Sequence, residues 1–130
     1  VDYYFSTTLS RPFDEAVDAV TEALKAQGFG VLTTIDVRET LRRKLDVEFP
    51  RYTILGACNP RMAYKALQKE PRIGAMLPCN VIVRETAEGQ VEVAAVDPVA
   101  SMQAVENREL ATVAMEVRAM LESAIRSLSR

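Results

Sequence analysis

Leu110, Val113, Ala114, Val117, Leu121, Ala124 and Leu128 recur every three or four residues near the end of the chain. This periodicity predicts one long amphipathic helix from about Glu106 to Ser127, capped by Asn107. Such a helix carries a single apolar stripe and must lay it on another layer, so the rest of the sequence has to supply a partner face. Five stretches rich in β-branched and aromatic residues offer one as strands: Tyr3–Thr8, Gly30–Ile35, Tyr52–Cys58, Cys79–Glu85 and Gln90–Asp97.

Between them lie helix signals. Ser10 reads as an N-cap before Pro12, Asp14 and Glu15, and Phe13, Ala16, Val17, Val20 and Leu24 form a stripe that Gly28 ends. Asp36-Val37-Arg38-Glu39 has capping-box spacing and opens a short helix to about Leu45, with Val37, Leu41 and Leu45 as its narrow core-facing side. Asn59-Pro60 starts another helix, to about Lys69, and Pro71 and Pro78 bracket an irregular connection. Thr86-Ala87-Glu88-Gly89 joins the last two strands as a hairpin, and a turn of helix is expected around Val99–Gln103. The order β-α-β-α-β-α-β-β-α contains a hairpin, which argues for an α+β two-layer sandwich with helices on one face of a mainly antiparallel sheet, not a doubly wound parallel sheet.

At 130 residues the chain is expected to be a single domain, residues 1–130. Its 48% hydrophobic and 26% charged residues allow a packed core and exclude a disordered chain. No apolar run approaches the roughly 20 residues that cross a bilayer, and Val1–Ser6 has no secretory pattern. A cytoplasmic protein with no membrane partner is therefore expected, and its two cysteines are expected to be thiols. A net charge of −2 gives no global field for nucleic acid. The local exception is Arg38, Arg42, Arg43 and Lys44, which read as a wet helix face or, alternatively, as an anion site.

There is no histidine, which removes the commonest general base and zinc ligand. No phosphate-binding glycine loop and no closely spaced cysteine pair occurs, so no cofactor and no structural metal site is expected. The remaining candidates are Cys58, Asn59, Cys79, Asn80 and Asp97. If the strands ending at Cys58 and beginning at Cys79 are antiparallel neighbours, the thiols meet at one end of the sheet, beside the helix starting at Pro60. A redox or soft-metal site follows from that placement. On the other reading the cysteines are small core residues and the asparagines cap turns. Asp97 before Pro98 reads as a turn cap or as a functional carboxylate. Tyr64 and Lys65 belong to an amphipathic helix face or to the same sheet end. Met62, Met76, Met102, Met115 and Met120 read as core filler.

The run Tyr52-Thr53-Ile54-Leu55-Gly56-Ala57-Cys58-Asn59-Pro60, with Ala63-Tyr64-Lys65-Ala66-Leu67, Ile73-Gly74, Leu77-Pro78-Cys79-Asn80-Val81-Ile82-Val83 and Asp97-Pro98, resembles the family called domain of unknown function 302. Tyr3-Tyr4-Phe5 and Gly28-Phe29-Gly30-Val31-Leu32 extend the resemblance over nearly the whole chain. It implies a TATA-binding-protein-like β-α-β(4)-α fold with inserted helices and no established activity. It also implies that glycine is common at the Cys58 position and that cysteine is absent at the Cys79 position in many members. The expected function is a small-ligand-binding or interaction module acting as a homodimer, its ligand an unidentified small molecule. The alternatives are a thiol site at Cys58 and Cys79, or anion or nucleic-acid binding through Arg38, Arg42 and Arg43.

Overall fold

The computed structural model describes residues 2–129. They form strands β1 (Tyr4–Leu9), β2 (Gly30–Asp36), β3 (Tyr52–Cys58), β4 (Cys79–Ala87) and β5 (Gln90–Val96), and helices α1 (Phe13–Ala26), α2 (Val37–Leu45), α3 (Pro60–Lys69), α4 (Pro98–Ser101) and α5 (Arg108–Ser127). The connection expected to be irregular is a 3-10 helix, Pro71–Met76, that buries Ile73. This is an α+β fold with β-α-β(4)-α order and inserted helices. All strand pairs are antiparallel in the order β1-β5-β4-β3-β2, and β4–β5 is the expected hairpin.

The pleat decides which side chains meet the helices. Leu55 and Ala57 of β3, Cys79, Val81 and Val83 of β4, and Val91, Val93 and Ala95 of β5 point to one face and are buried. α1 and α5 pack on that face, with α3 packed against α5 at its flank. Phe13, Ala16, Val20 and Leu24 of α1, and Leu110, Val113, Val117, Leu121, Ala124 and Ile125 of α5, supply the facing layer. The alternate residues point to a second face that, among the described residues, no helix covers.

Polar side chains set the helix starts. Asp36 Oδ1 accepts from the Glu39 amide at 2.9 Å, Asn59 Oδ1 from Met62 at 3.3 Å, Asp97 Oδ1 from Val99 at 2.9 Å, and Asn107 Oδ1 from Glu109 at 3.0 Å. α1 ends in a Schellman motif, in which the Gly28 and Phe29 amides donate to the Lys25 and Leu24 carbonyls at 3.0 Å and Gly28 takes φ +86°.

Three expectations need correction. Ser10 does not cap α1: Pro12, extended at ψ 147°, holds the N-cap position without a side-chain bond, and the Ser10 hydroxyl instead accepts from Gln90 Nε2 at 3.0 Å. α2 buries none of its residues and leaves Leu45 exposed, because it is inserted between two strands that already pair as neighbours and so lies beyond the sheet's end. Met62 is buried, and Met102 and Met120 pack against the core, but Met76 and Met115 are exposed, Met115 on the solvent side of α5. Tyr64 and Lys65 lie on the exposed side of α3. Among the described residues no helix is long and apolar enough to cross a membrane.

β2 and β4 approach β3 closely at Gly56, where a Cβ would overlap Thr33 Oγ1 and come within 2.8 Å of Pro78 Cγ. Gly56→Ala is therefore expected to cost about 1–3 kcal/mol, read as a lower urea midpoint at unchanged slope. Adding Thr33→Ala should recover part of that loss, and an identical loss in the double variant would show that the overlap is not the cause.

Candidate functional site

Two of the fold's concavities combine apolar walls with polar or reactive side chains on the sheet. The first is the end of the sheet where β3 stops and β4 begins. Ala57 and Cys79 are cross-strand partners, so Cys58 stands diagonal to Cys79. Both cysteines are free thiols, Cys79 buried and Cys58 half-buried. They line one cavity of about 30 Å³ together with Met62, Met102, Phe29 and Val117. Each wall has a local origin. The Schellman turn after α1 drives Phe29 inward, the Asn59 cap starts α3 so that Met62 faces the core, and α4 delivers Met102.

The condition set by the sequence is thus met, since β3 and β4 are antiparallel neighbours and both thiols lie at the same sheet end. The asparagines do not share that arrangement. Asn59 Nδ2 lies 3.5 Å from the Gln27 carbonyl and 3.5 Å from Met120 Sδ, tying the end of α1 to the start of α3 beside α5. Asn80, one residue along the pleat from Cys79, is turned to the opposite face and is exposed. Asp97 is buried; it caps α4, and its Oδ2 lies 3.4 Å from Arg118 Nε of α5, so its carboxylate already has partners.

Burial first, and then repulsion from the adjacent Cys58 sulfur, pushes the Cys79 thiol up to about 11 from a usual value of 9.0. At neutral pH Cys79 is therefore a protonated thiol, quiet as a nucleophile.

The second place is the uncovered sheet face. Tyr3, Tyr4 and Val96 at one side, Tyr52 at the other, and Asn80, Ile82 and Ala94 between them border an open cleft of about 580 Å³. Arg84 Nε and Glu92 Oε1 form an ion pair of 2.6 Å across β4 and β5 in its floor. Ile35 on the edge strand is 46% exposed and pairs with Ile54, itself paired with Ile82, so an apolar band runs across the face. Apart from Asn80, sequence reasoning did not single out these residues. Their signal was the alternation Asn80, Ile82, Arg84 against buried Val81 and Val83, a strand with one wet and partly apolar face.

Two arginines of the basic cluster already have an acidic neighbour. Arg42 Nη2 and Arg43 Nε lie 3.0 and 3.7 Å from Glu39 carboxylate oxygens, and Asp36 and Glu48 share the same shallow depression with Arg38 and Arg42. Arg51 is engaged by Asp14 at 2.7 Å and lies over the Phe13 ring.

Comparison with known proteins fits this picture. A family model described as "Domain of unknown function DUF302" matches residues 5–128. The crystal structure of an uncharacterized conserved DUF302 protein from Bacillus stearothermophilus superposes over 100% of both chains, with a TM-score of 0.90 at 25% identity. An uncharacterized protein of Aquifex aeolicus (strain VF5) is 29% identical over 82 residues, covering 63% of this chain and 51% of that one, so the match spans about half the length of that relative.

Because the folded state of Cys79 holds a proton that the unfolded chain releases near 9.0, the stability this thiol provides is full below that value and is lost as the pH rises toward about 11. A difference of that size corresponds to roughly 3 kcal/mol. Urea denaturation at about pH 8 and about pH 11 should show the wild type losing roughly that much more than Cys79→Ala. Parallel losses in the two proteins would mean that the thiol is not desolvated.

Proposed function

Taking as premise that the chain belongs to the family of domain of unknown function DUF302, we propose that it is a cytoplasmic one-domain binding module whose working surface is the uncovered sheet face, and that a second copy of the same chain occupies this face. The observation that carries the reading is the cleft itself, apolar side chains around one ion pair on a face with no helix over it.

Two features favour a second copy over a small molecule. First, the face is self-complementary. Arg84 and Glu92 lie side by side, so a two-fold axis through the cleft brings each against the opposite charge of the partner, as an isologous contact requires. The small Ala94 leaves room beside the bulky Tyr4, Tyr52 and Ile82. Second, the size suits a protein. Five strands of six to nine residues give a face of about 24 by 20 Å, at the low end of specific protein–protein contacts and far broader than a small molecule. A cleft this open encloses a small ligand poorly, whereas good small-molecule sites bury most of their ligand.

Sedimentation equilibrium at micromolar concentration is expected to give a dimer. Ile82→Glu places a charge in the centre of the face, where the side chain is already half-exposed in the monomer; it should yield a folded monomer with at least a tenfold weaker association. A wild type that stays monomeric throughout overturns the reading. A monomer whose melting temperature rises with a small molecule, an effect lost in Ile82→Glu, would transfer the face to a ligand instead.

A further inference from the structure

β2 and β3 are antiparallel neighbours, a pair that a loop of two to five residues commonly joins. Here a helix of 9 residues and the segment 46–51 stand between them instead. None of residues 37–50 is fully buried, so packing within the chain does not account for so long a connection. It is anchored at both ends all the same. Asp36 caps the start of α2, Asp46 turns the chain out of it at φ +54° with its amide on the Arg42 carbonyl at 3.0 Å, and Arg51 pairs with Asp14 while its carbonyl accepts from the Glu85 amide at 2.9 Å. What this anchored insertion presents to solvent is apolar: Leu45 is 65%, Val47 42% and Phe49 38% exposed. Arg38, Glu39, Arg42 and Glu48 rim the depression that Val47 and Phe49 border. Exposed apolar side chains gathered inside a charged rim mark an interaction surface.

Building on the reading of the uncovered sheet face as the contact between two copies, we propose that this insertion is a dimer arm that packs on the free β1 edge of the second copy. The arm adjoins the face, because the Phe49 ring lies 6.2 Å from that of Tyr52 at the border of the cleft. The face alone is at the low end of specific contacts. A stable dimer therefore needs surface from beyond its rim, and the arm supplies apolar surface there.

Charge fixes where the arm falls. Sheets packed face to face keep their strands roughly aligned, so the two-fold axis runs either across the strands or along them. Arg84 and Glu92 are cross-strand partners at one level of β4 and β5. An axis across the strands at that level sets Arg84 against the partner's Arg84, whereas an axis along the strands, between β4 and β5, sets it against the partner's Glu92. The second axis also lays Ile82 over the small Ala94, its own cross-strand neighbour. In the order β1-β5-β4-β3-β2 it places β1 over the partner's β3 and carries β2, with the arm, past the partner's β1. Tyr52 pairs with Arg84, Arg84 with Glu92 and Glu92 with Thr8, so the arm arrives at the Thr8 end of that strand.

The edge it meets has groups to cover. The Asp97 amide donates to the Tyr3 carbonyl, and the register then commits the N–H and C=O groups of Phe5, Thr7 and Leu9 to β5 and turns those of Tyr4, Ser6 and Thr8 outward. β1 has no charged residue, no proline and no bulge, which are the devices that guard an exposed edge.

Three measurements on the full chain test the arm. In sedimentation equilibrium, Leu45→Ser/Val47→Ser/Phe49→Ser should weaken the dimer at least tenfold, with the monomer unfolding close to the urea midpoint of the Ile82→Glu monomer. In wild type the Ser6 and Thr8 amides should gain exchange protection as the protein concentration rises through the dimer transition. Arg84→Glu and Glu92→Arg should each be monomeric alone and form a 1:1 heterodimer when mixed, since opposite charges then meet at both contacts. A folded triple variant that dimerises as well as wild type, or β1 amides indifferent to association, overturns the arm and leaves the face reading standing. Charge variants that stay apart on mixing overturn the axis and the seat on β1. A wild type that is monomeric, or a dimer that Ile82→Glu leaves intact, removes the face reading and the arm with it. Amide exchange and mixing leave the insertion unaltered, so both remain decisive if the triple variant does not fold.

Discussion

The period-two pleat of a sheet covered on one side only governs the rest of this structure. α1 and α5 lie on the same face, with α3 at its flank, so every buried residue of β4 and β5 commits its neighbour to the other face. Val81 and Val83 cannot be interior without Ile82 and Arg84 being turned outward. The same alternation separates Cys79 from Asn80. A one-residue slip of β4 would bury Arg84 and expose Val83, and the resulting cost of an unpaired interior guanidinium pins the register more firmly than any loop does. The candidate surfaces are thus two products of one constraint, an apolar band left without a lid and a sulfur-lined pocket closed at the strand ends.

Most of the architecture was legible because it is written locally. The α5 stripe, the Gly28 stop, the Asn59-Pro60 start and the hairpin around Gly89 each depend on residues within one or two turns of one another, and the structure has them nearly where the spacing puts them. Where local signals failed, a non-local partner had outbid them. Ser10 was free to cap a helix but found Gln90, 80 residues away. α2 has the capping box and a narrow apolar side, yet its position beyond the end of the β2–β3 pair leaves Val37 and Leu41 only half-buried and Leu45 exposed.

The candidate site was legible in part for the same reason. That both thiols stand at one sheet end followed from the order of the strands. That Met62 and Met102 join them depends on how α3 and α4 pack, which the spacing of five scattered methionines does not reveal. The Arg84–Glu92 pair needed the cross-strand register of β4 and β5. Asn59 is the most informative single case. Read as a cap it is a local feature, but its amide also reaches the end of α1 and the sulfur of Met120, so one side chain fixes the relative placement of three helices around the cavity.

α2 and the segment after it, residues 37–50, contain no fully buried side chain. Opening this stretch exposes little apolar surface, so it can unfold and reclose as a separate cooperative unit at a fraction of the global unfolding free energy. Lengthening it is similarly cheap, since doubling a flexible connection adds only about 0.6 kcal/mol of closure entropy. It is accordingly the part of the chain where an insertion or a change of sequence disturbs the sheet and its three packed helices least.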